Sequence, residues 1–333
     1  MNSFGRLFRM TIFGESHGEG VGLVLDGCPA GLSLKPEDFE ADIERRKGGI
    51  QKGTTPRQES DQPIFKTGLF NGHTTGAPVT ILFENKNTRS ADYEKLRAIP
   101  RPGHADFVAH EKFGGFEDYR GGGHFSGRLT VALVAAGVIA KKLLDLNHTE
   151  VHAEILEIGG MKDLEAGLQK AIDAKDSVGG ILECRVRNIP QSLGEPFFDS
   201  VESLISHAVF AIPAVRAIEF GTGFAAAKMF GSEHNDAIAD NTGRTFTNHA
   251  GGVVGGISNG NELVFRIAIK PTSSTPKEQE TYNRETGTTE VFSVKGRHDL
   301  CIALRVPVIL EAVTAIVLAD LMLLEQKIPR VLK

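Results

Sequence analysis

Residues 181–187 read ILECRVR and residues 262–270 read ELVFRIAIK. In both stretches one set of alternate positions is wholly apolar and the other set carries the charged residues. A period of two is typical of a strand with one buried and one solvated face, as in an antiparallel sheet. Lys270 ends the second stretch on the side away from the most apolar face, where its charge can face a cavity. The two stretches therefore predict an antiparallel sheet.

Three helices are predicted from their end signals. The first covers residues 36–47, with a proline near its start, acidic residues in its first turn and basic residues in its last. The second covers about residues 128–146, with Ser126 as its N-cap. The third begins at Pro307 and is apolar nearly all round, which predicts a buried helix.

Strand and helix signals do not alternate regularly along the chain, and this favours an α+β fold over a doubly wound parallel sheet. The sequence shows no internal repeat and no linker, so we expect residues 1–333 to form a single domain. The polar stretches 50–61 and 273–289 are predicted to be long loops over a site.

Composition argues against several classes of protein. The 333 residues are 41% hydrophobic, which is enough for a large core and excludes intrinsic disorder. The net charge of -5 argues against a nucleic-acid partner bound by bulk electrostatics. The longest apolar stretches are residues 129–140, which are too few for a membrane span, and residues 306–324, which Glu311 and Asp320 interrupt. We therefore expect no membrane partner.

Cysteine usage bears on the compartment. Cys28, Cys184 and Cys301 are far apart in the sequence and have no zinc-ligand spacing to other cysteines or histidines. The first residues lack the apolar segment and the cleavage site of a signal peptide. We expect a reduced, cytoplasmic chain without a structural metal.

The segment GESHG, residues 14–18, places Ser16 and His17 in a turn between two predicted strands. It matches the G-x-S-x-G pattern of serine hydrolases, but that motif requires a helix after the serine. A structural turn, or an acid–base role for His17, is therefore favoured. A serine hydrolase that uses Ser16 is kept as an alternative hypothesis.

Two stiff, glycine-containing loops carry further ionisable side chains. Residues 100–106, PRPGHAD, present Arg101 and His104, and histidine is the side chain best suited to proton transfer near neutral pH. Residues 120–128, RGGGHFSGR, open the second helix, where free N–H groups favour a phosphate. A solvated loop and a simple helix entry are the respective structural alternatives.

Three later segments suit a bulky, anionic ligand. Residues 250–260, AGGVVGGISNG, allow the backbone to approach a flat ligand closely. Residues 270–274, KPTSS, join a cation to three hydroxyls that suit a phosphate or parts of a flavin. Residues 296–299, GRHD, combine a guanidinium, an imidazole and a carboxylate, a trio that alone is equally typical of a surface ion-pair cluster.

These segments and the end of the first helix contain more cations than one neutral substrate needs. Because buried cations need counter-charges, the excess predicts a small-molecule ligand with several negative charges. The cations are Arg46, Lys52, Arg101, Arg120, Arg128, Lys270 and Arg297.

The motifs above, together with TTPRQESD at residues 54–61, resemble those of the chorismate synthase family over nearly the whole chain. The resemblance implies a homotetramer whose antiparallel sheets enclose helices in a β-α-β sandwich. It implies conversion of 5-enolpyruvylshikimate 3-phosphate to chorismate by a 1,4-anti elimination of phosphate, in the shikimate pathway of aromatic amino acid biosynthesis. It also implies reduced FMN as cofactor without net redox change, and NADPH in members that reduce their own flavin.

The same resemblance implies roles for individual residues. His17 is the acid near the flavin, His104 is the proton donor near the departing phosphate, and Asp299 works with the flavin N5 to remove the C6 proton. Ser16 and Ser126 support them through hydrogen bonds. The cations expected to clamp the substrate are Arg46, Lys52, Arg101 and Arg128. The residues expected to contact FMN are His124, Phe125, Ser126, Gly255, Lys270, Pro271, Thr272, Ser273, Ser274 and Arg297.

The chain departs from the family pattern at some of these positions. The usual Arg-Ser-Ser-Ala-Arg-Glu-Thr is HFSGRLT at residues 124–130. Lys52 stands where the family has an arginine, which keeps the charge but loses the bidentate fork. Both histidines and Asp299 are kept, so the departures bear more on flavin contacts than on the reaction. A non-catalytic paralogue that binds flavin or anions is the remaining alternative.

Overall fold

The computed structural model describes residues 1–49, 52–57, 59–88, 93, 96–294 and 298–333. The strands are β1 (Ser3–Phe4), β2 (Arg9–Gly14), β3 (Gly20–Asp26), β4 (Ile64–Thr67), β5 (Leu69–Phe70), β6 (His73–Thr74), β7 (Val79–Glu84), β8 (Glu150–Ile158), β9 (Gly180–Arg187), β10 (Val215–Phe220), β11 (Val253–Val254), β12 (Ile257–Ser258), β13 (Leu263–Ile269), β14 (Gln279–Asn283) and β15 (Thr288–Phe292). The α-helices are α1 (Glu40–Arg46), α2 (Asp106–Phe113), α3 (Thr130–Leu144), α4 (Leu164–Ala174), α5 (Val201–Val209), α6 (Gly231–His234) and α7 (Val306–Leu324). Short 3-10 helices cover Pro36–Phe39, Arg120–Phe125, Gly127–Leu129, Asp145–Asn147, Phe197–Asp199, Gly223–Lys228 and Ile302–Arg305.

Two antiparallel sheets contain the longer strands outside the β14–β15 hairpin. The first has the order β1-β2-β3-β7-β4 and the second has the order β10-β13-β9-β8. Strands β9 and β13 are the two alternating stretches of the sequence, and they pair with Phe265 opposite Cys184. Both side chains are fully buried. On the other face of β9, Glu183 forms ion pairs with Arg185 and Arg266. The predicted α+β fold is confirmed.

The polar stretch 273–289 is not a long loop, and that prediction is wrong. Strand β14 lies within it and β15 begins in it, and the two strands pair with each other as a hairpin. A period-two pattern reveals a strand when one face is buried. In this hairpin most side chains are exposed or half-buried, so the sequence carries no such pattern.

The end signals locate the helices well. Residues 36–47 form the 3-10 turn Pro36–Phe39 followed by α1. The second predicted helix is α3 with the 3-10 turn Gly127–Leu129 before it, and Ser126 Oγ accepts a hydrogen bond from Arg128 N at 3.3 Å. The predicted N-cap is therefore confirmed. Helix α3 contacts β3 of the first sheet, α7 contacts β8 of the second, and the two helices pack against each other.

Helix α7 is an interior helix. The segment Ile302–Leu324 is long and apolar enough to cross a membrane, but 94% of its most apolar window is buried inside the protein. Both acidic residues within it have partners. Glu311 accepts hydrogen bonds from Arg45 at 2.7 and 2.8 Å and from Lys141 at 2.8 Å, and Asp320 accepts from backbone N–H groups of residues 6–8. Both carboxylates of helix α7 are thus compensated within the fold.

Gly137→Ala is expected to destabilise the protein because α3 and α7 touch at this position. A Cβ at Gly137 would lie 2.5 Å from Ala312 Cα and would overlap Ala312 Cβ. Overpacking of a core contact costs about 1–3 kcal/mol. The measurement is the midpoint of urea unfolding. Gly231→Ala is the control, since a Cβ there meets nothing within 4 Å, and equal midpoints for the two variants would contradict the prediction.

Candidate functional site

One cavity of about 510 Å³ collects residues from most of the sequence motifs. Its size is that of a ligand site, which typically measures about 300–1,000 Å³. Its lining includes Ser16, Arg46, Arg57, Glu59, Asp61, Tyr93, Arg101, His104, Gly121, His124, Phe125, Ser126, Arg128, Lys270, Pro271, Thr272, Ser273, Ser274, His298, Asp299 and Arg305.

The glycine loop 121–123 lies against both predicted histidines. Its three residues have φ values of 62°, 81° and 52°, in the left-handed region that favours glycine. A Cβ at Gly121 would lie 2.6 Å from His17 Nε2 and 2.8 Å from Ser16 Oγ, and a Cβ at Gly122 would lie 3.4 Å from the His104 ring. The absence of side chains lets this backbone pack onto the functional groups.

Gly121→Ala is expected to lower activity by displacing His17 and Ser16. The displacement follows from the overlap of the new methyl group with both side chains. A shift of about 1 Å in a catalytic group can cost about 100-fold in rate. The measurement is the rate of the elimination that the sequence resemblance implies, assayed anaerobically with reduced FMN. Gly72→Ala is the matched control, because Gly72 has a similar φ of 74° but a Cβ there meets nothing within 4 Å and the residue does not line the cavity.

His104 is held in a three-residue cluster with Arg101 and Asp106. Asp106 Oδ1 lies 2.5 Å from His104 Nδ1, and Asp106 Oδ2 accepts a hydrogen bond from Arg101 Nε at 2.7 Å. Burial alone would raise the pKa of Asp106, but the hydrogen bonds from Arg101 and His104 outweigh it and lower that pKa below its usual range. Asp106 is therefore a carboxylate, and its contact with Nδ1 orients the imidazole.

Arg46 and Arg128 share one buried carboxylate. Asp61 Oδ2 accepts from Arg46 Nη1 at 2.9 Å, and Asp61 Oδ1 accepts from Arg128 Nη1. Burial raises the pKa of Asp61, and the two guanidinium charges more than reverse this, so its pKa is lowered. Burial and the charge of Arg305 lower the pKa of Arg46 to about 9, which leaves it charged at neutral pH. Arg46, Arg128 and Asp61, which we call the Asp61 cluster, therefore carry a net positive charge beside the cavity.

Asp299 is oriented from two sides. Its Oδ1 accepts from Thr55 N at 2.8 Å and its Oδ2 accepts from Arg305 Nη1 at 2.9 Å. Arg305 Nε also donates to the carbonyl of Arg46 at 2.9 Å, which ties the carboxylate to the end of α1. The carboxylate is thus fixed in the cavity wall.

Residues 270–274 supply hydroxyls and a cation to the cavity. Lys270 Nζ donates to Ser273 Oγ at 2.9 Å, and Arg101 Nη1 donates to Ser274 Oγ at 3.1 Å. Thr272 Oγ1 is buried, and within the described part of the chain no hydrogen-bond partner reaches it. A buried hydroxyl without a partner is costly, so this position suits a polar group of a bound ligand.

Ser16 lies in a turn that does not match the hydrolase motif. It lies between the antiparallel strands β2 and β3, so no helix follows it as a hydrolase elbow requires. Its side chain is fully buried, and its Oγ accepts a hydrogen bond from Arg57 Nη1 at 3.0 Å. An arginine does not act as a base, so this contact does not activate a nucleophile.

Some residues named from the sequence lie elsewhere. Lys52 Nζ is exposed and donates to Gln169 Oε1 at 2.8 Å, and Lys52 does not line the described cavity. Gly255 is exposed at the β11–β12 turn and does not line it either, so within this chain neither is placed as a ligand contact. His17 lies behind Gly121 with its ring 5.1 Å from that of Tyr93. Arg297 lies outside the described residues.

Sequence reasoning missed several charged residues of the site, among them Arg57, Asp61 and Arg305. Arg57 and Asp61 belong to the polar segment 54–61, which was informative only because its motif resembles that of the family. Arg305 precedes an apolar helix and has no local signal. Moreover, Arg46, Arg101 and Arg128 all have carboxylate partners. The excess of cations is therefore partly neutralised by the protein itself.

Three comparisons with known proteins bear on the family. A family model described as chorismate synthase matches residues 8–323. The chorismate synthase of Chitinophaga pinensis is 70% identical over 333 residues and covers all of both chains. That of Dehalococcoides mccartyi is 44% identical over 361 residues, covering 100% of this chain and 99% of the relative. A structure titled "Crystal Structure of Chorismate Synthase" matches with a TM-score of 0.74 at 24% identity, over 97% of this chain and 93% of that one, and supports the fold. The chain belongs to the chorismate synthase family of carbon–oxygen lyases.

Proposed function

We propose that the 510 Å³ cavity converts 5-enolpyruvylshikimate 3-phosphate to chorismate by 1,4-anti elimination of phosphate. The observation that supports it best is the presence of an oriented imidazole, His104, and an oriented carboxylate, Asp299, in one cation-lined cavity. An elimination of this kind needs a proton donor for the leaving group and an acceptor for the C6 proton.

The arginines of the cavity suit the substrate's phosphate and two carboxylates. Arg128 directs Nε to Asn85, Nη1 to Asp61 and Nη2 to the carbonyl of Glu84. A guanidinium has more N–H donors than these three acceptors use. The remaining donors, and the net positive charge of the Asp61 cluster, are available to an anion.

Reduced FMN fits the donor set at residues 270–274. The Lys270 ammonium, the Ser273 and Ser274 hydroxyls and Thr272 Oγ1, which no hydrogen-bond partner among the described residues reaches, supply polar and cationic groups for its anionic tail or ring edge. His124, Phe125 and Ser126 line the same cavity. Reduced FMN supplies the electron-rich ring that the family requires for an elimination without net redox change.

Two residues of the chain each carry out one of the two proton transfers. Asp299 accepts the C6 proton, and the electrons of that C–H bond form a double bond as the existing one shifts. The C–O bond to phosphate breaks with its electron pair on oxygen, and His104, held at Nδ1 by Asp106, gives this oxygen a proton. His17 and Ser16, packed under Gly121, support the flavin side.

The test is phosphate release from 5-enolpyruvylshikimate 3-phosphate under anaerobic conditions. We expect release with reduced FMN and none with oxidised FMN or without flavin. Release without any flavin would refute the proposal, and binding of FMN and substrate without release would identify a non-catalytic paralogue. Labelling of Ser16 by a fluorophosphonate probe would instead support the hydrolase. Consumption of NADPH by flavin and protein alone would show that the chain reduces its own FMN.

We further propose a single-domain chain, in the β-α-β sandwich arrangement, that forms a cytoplasmic homotetramer. One hydrophobic cluster containing α3 and α7 joins both sheets, which supports the sandwich and the single domain.

The three buried, free cysteines fit a reducing compartment. Large exposed apolar side chains support subunit contacts, and sedimentation equilibrium tests the tetramer. They include Phe197, Phe198, Phe224, Phe230 and Phe246, each more than three-quarters exposed.

A further inference from the structure

The β14–β15 hairpin lies against the loop that carries Arg101, His104 and Asp106. Thr281 Oγ1 donates to the carbonyl of Pro100 at 2.9 Å, and the backbone N–H of Arg284 donates to the carbonyl of Ala98 at 2.9 Å. The hairpin thus contacts the loop through its strand β14 and the residue that follows it.

The side chain of Arg284 spans this loop. Its Nη2 donates to the carbonyl of Phe107 at 3.0 Å, its Nη1 donates to the carbonyl of Arg97 at 3.3 Å, and its guanidinium lies 4.8 Å from the centre of the Phe107 ring. Residues 97 and 107 are the two ends of the segment that contains the His104 cluster. One planar fork therefore holds both ends of the segment at a fixed separation.

Arg284 also lies directly behind the cluster. It lines a second cavity of about 20 Å³ together with His104, Asp106 and Glu117. His104 lines both cavities and the contact of Arg101 with Ser274 faces the large one, whereas Asp106 and Arg284 do not line the large cavity. Asp106 and Arg284 therefore both hold the loop of His104 from outside the large cavity.

We propose that Arg284 is a positioning residue that acts on the reaction through His104. The inference rests on the proposed function, in which His104 protonates the leaving phosphate. Arg284 does not line the large cavity, so its effect is on the placement of the loop and not on binding of substrate or flavin. Because a misplacement of about 1 Å can cost about 100-fold in rate, loss of the fork is expected to lower kcat more than it changes KM.

The first test compares Arg284→Ala with Arg284→Lys and with the surface control Arg244→Ala. Arg244 is 74% exposed and paired with Asp240. We expect kcat to fall about 10- to 100-fold in Arg284→Ala, with KM and FMN affinity nearly unchanged. Arg284→Lys should recover only part of the loss, because one ammonium does not reproduce a two-carbonyl fork. A normal kcat in Arg284→Ala would overturn the inference.

A double-mutant cycle with His104→Ala separates positioning from general destabilisation. If Arg284 acts through His104, Arg284→Ala should lower the rate little further once His104 is absent. An equal loss in both backgrounds would overturn the inference. Failure of the wild-type protein to release phosphate would instead refute the proposed function.

Hydrogen–deuterium exchange decides the structural half of the inference without any activity. The backbone amides of residues 97–107 should exchange faster in Arg284→Ala than in the wild-type protein, and at unchanged rates in Arg244→Ala. Unchanged exchange over residues 97–107 in Arg284→Ala would overturn the inference whether or not the enzyme is active.

Discussion

His104→Ala is expected to lower the rate of phosphate release by about two to four orders of magnitude, the usual contribution of a proton-transfer group. The imidazole Nδ1 lies 2.5 Å from Asp106 Oδ1, and this contact fixes the ring. Alanine removes the donor and leaves Asp106 and Arg101 paired with each other. The measurement is a single turnover with reduced FMN, quenched and assayed for phosphate.

His73→Ala is the control for this experiment, since His73 is exposed on β6 and does not line the cavity. Asp106→Asn should also lower the rate, but by less than His104→Ala, because the amide can still accept a hydrogen bond from the imidazole while it loses the charge that pairs with Arg101. A near-normal rate in His104→Ala would show that another group protonates the leaving phosphate.

Asp299→Asn is the second change with a large expected effect. The amide keeps the shape of the carboxylate and can accept from one of its two donors, Thr55 N or Arg305, but it has no basicity for the C6 proton. We expect turnover to fall by about two to four orders of magnitude with FMN binding retained. Phosphate release and the flavin absorbance change on binding measure the two properties separately.

The matched control is Asp240→Asn on the surface, where Asp240 pairs with the exposed Arg244. A parallel loss of FMN binding in Asp299→Asn would assign the carboxylate to cofactor binding. Normal turnover would remove Asp299 from the proton transfer altogether.

The sequence predicted those parts of the candidate site that lie in short local motifs. The loops with Arg101 and His104, the turn with Ser16 and the segment 270–274 all line the cavity, because prolines and glycines fix each loop whatever packs against it. Lys52 was expected there from its place in the motif. In the structure its side chain points to Gln169, and Arg57, a few residues later, reaches Ser16 instead.

The partners of the charged groups could not be predicted in this way. Asp61 joins Arg46 and Arg128, Arg305 joins Asp299 to α1, and Arg284 crosses the His104 loop from a hairpin that the sequence did not reveal. These contacts link residues that are 6 to 259 positions apart, as the pairs Asp299–Arg305 and Arg46–Arg305 show. No periodicity or end signal encodes such pairings.

The sequence by itself determined the local order of this protein. Alternation marked β9 and β13, end signals marked α1, α3 and α7, and the motifs marked the family, because each depends on neighbours within a few residues. Only the tertiary structure decided which side chains meet in the cavity and which carboxylate neutralises which cation. The physical reason is that burial and charge pairing act between segments brought together by the packing of α3 against α7 and of each helix against its sheet.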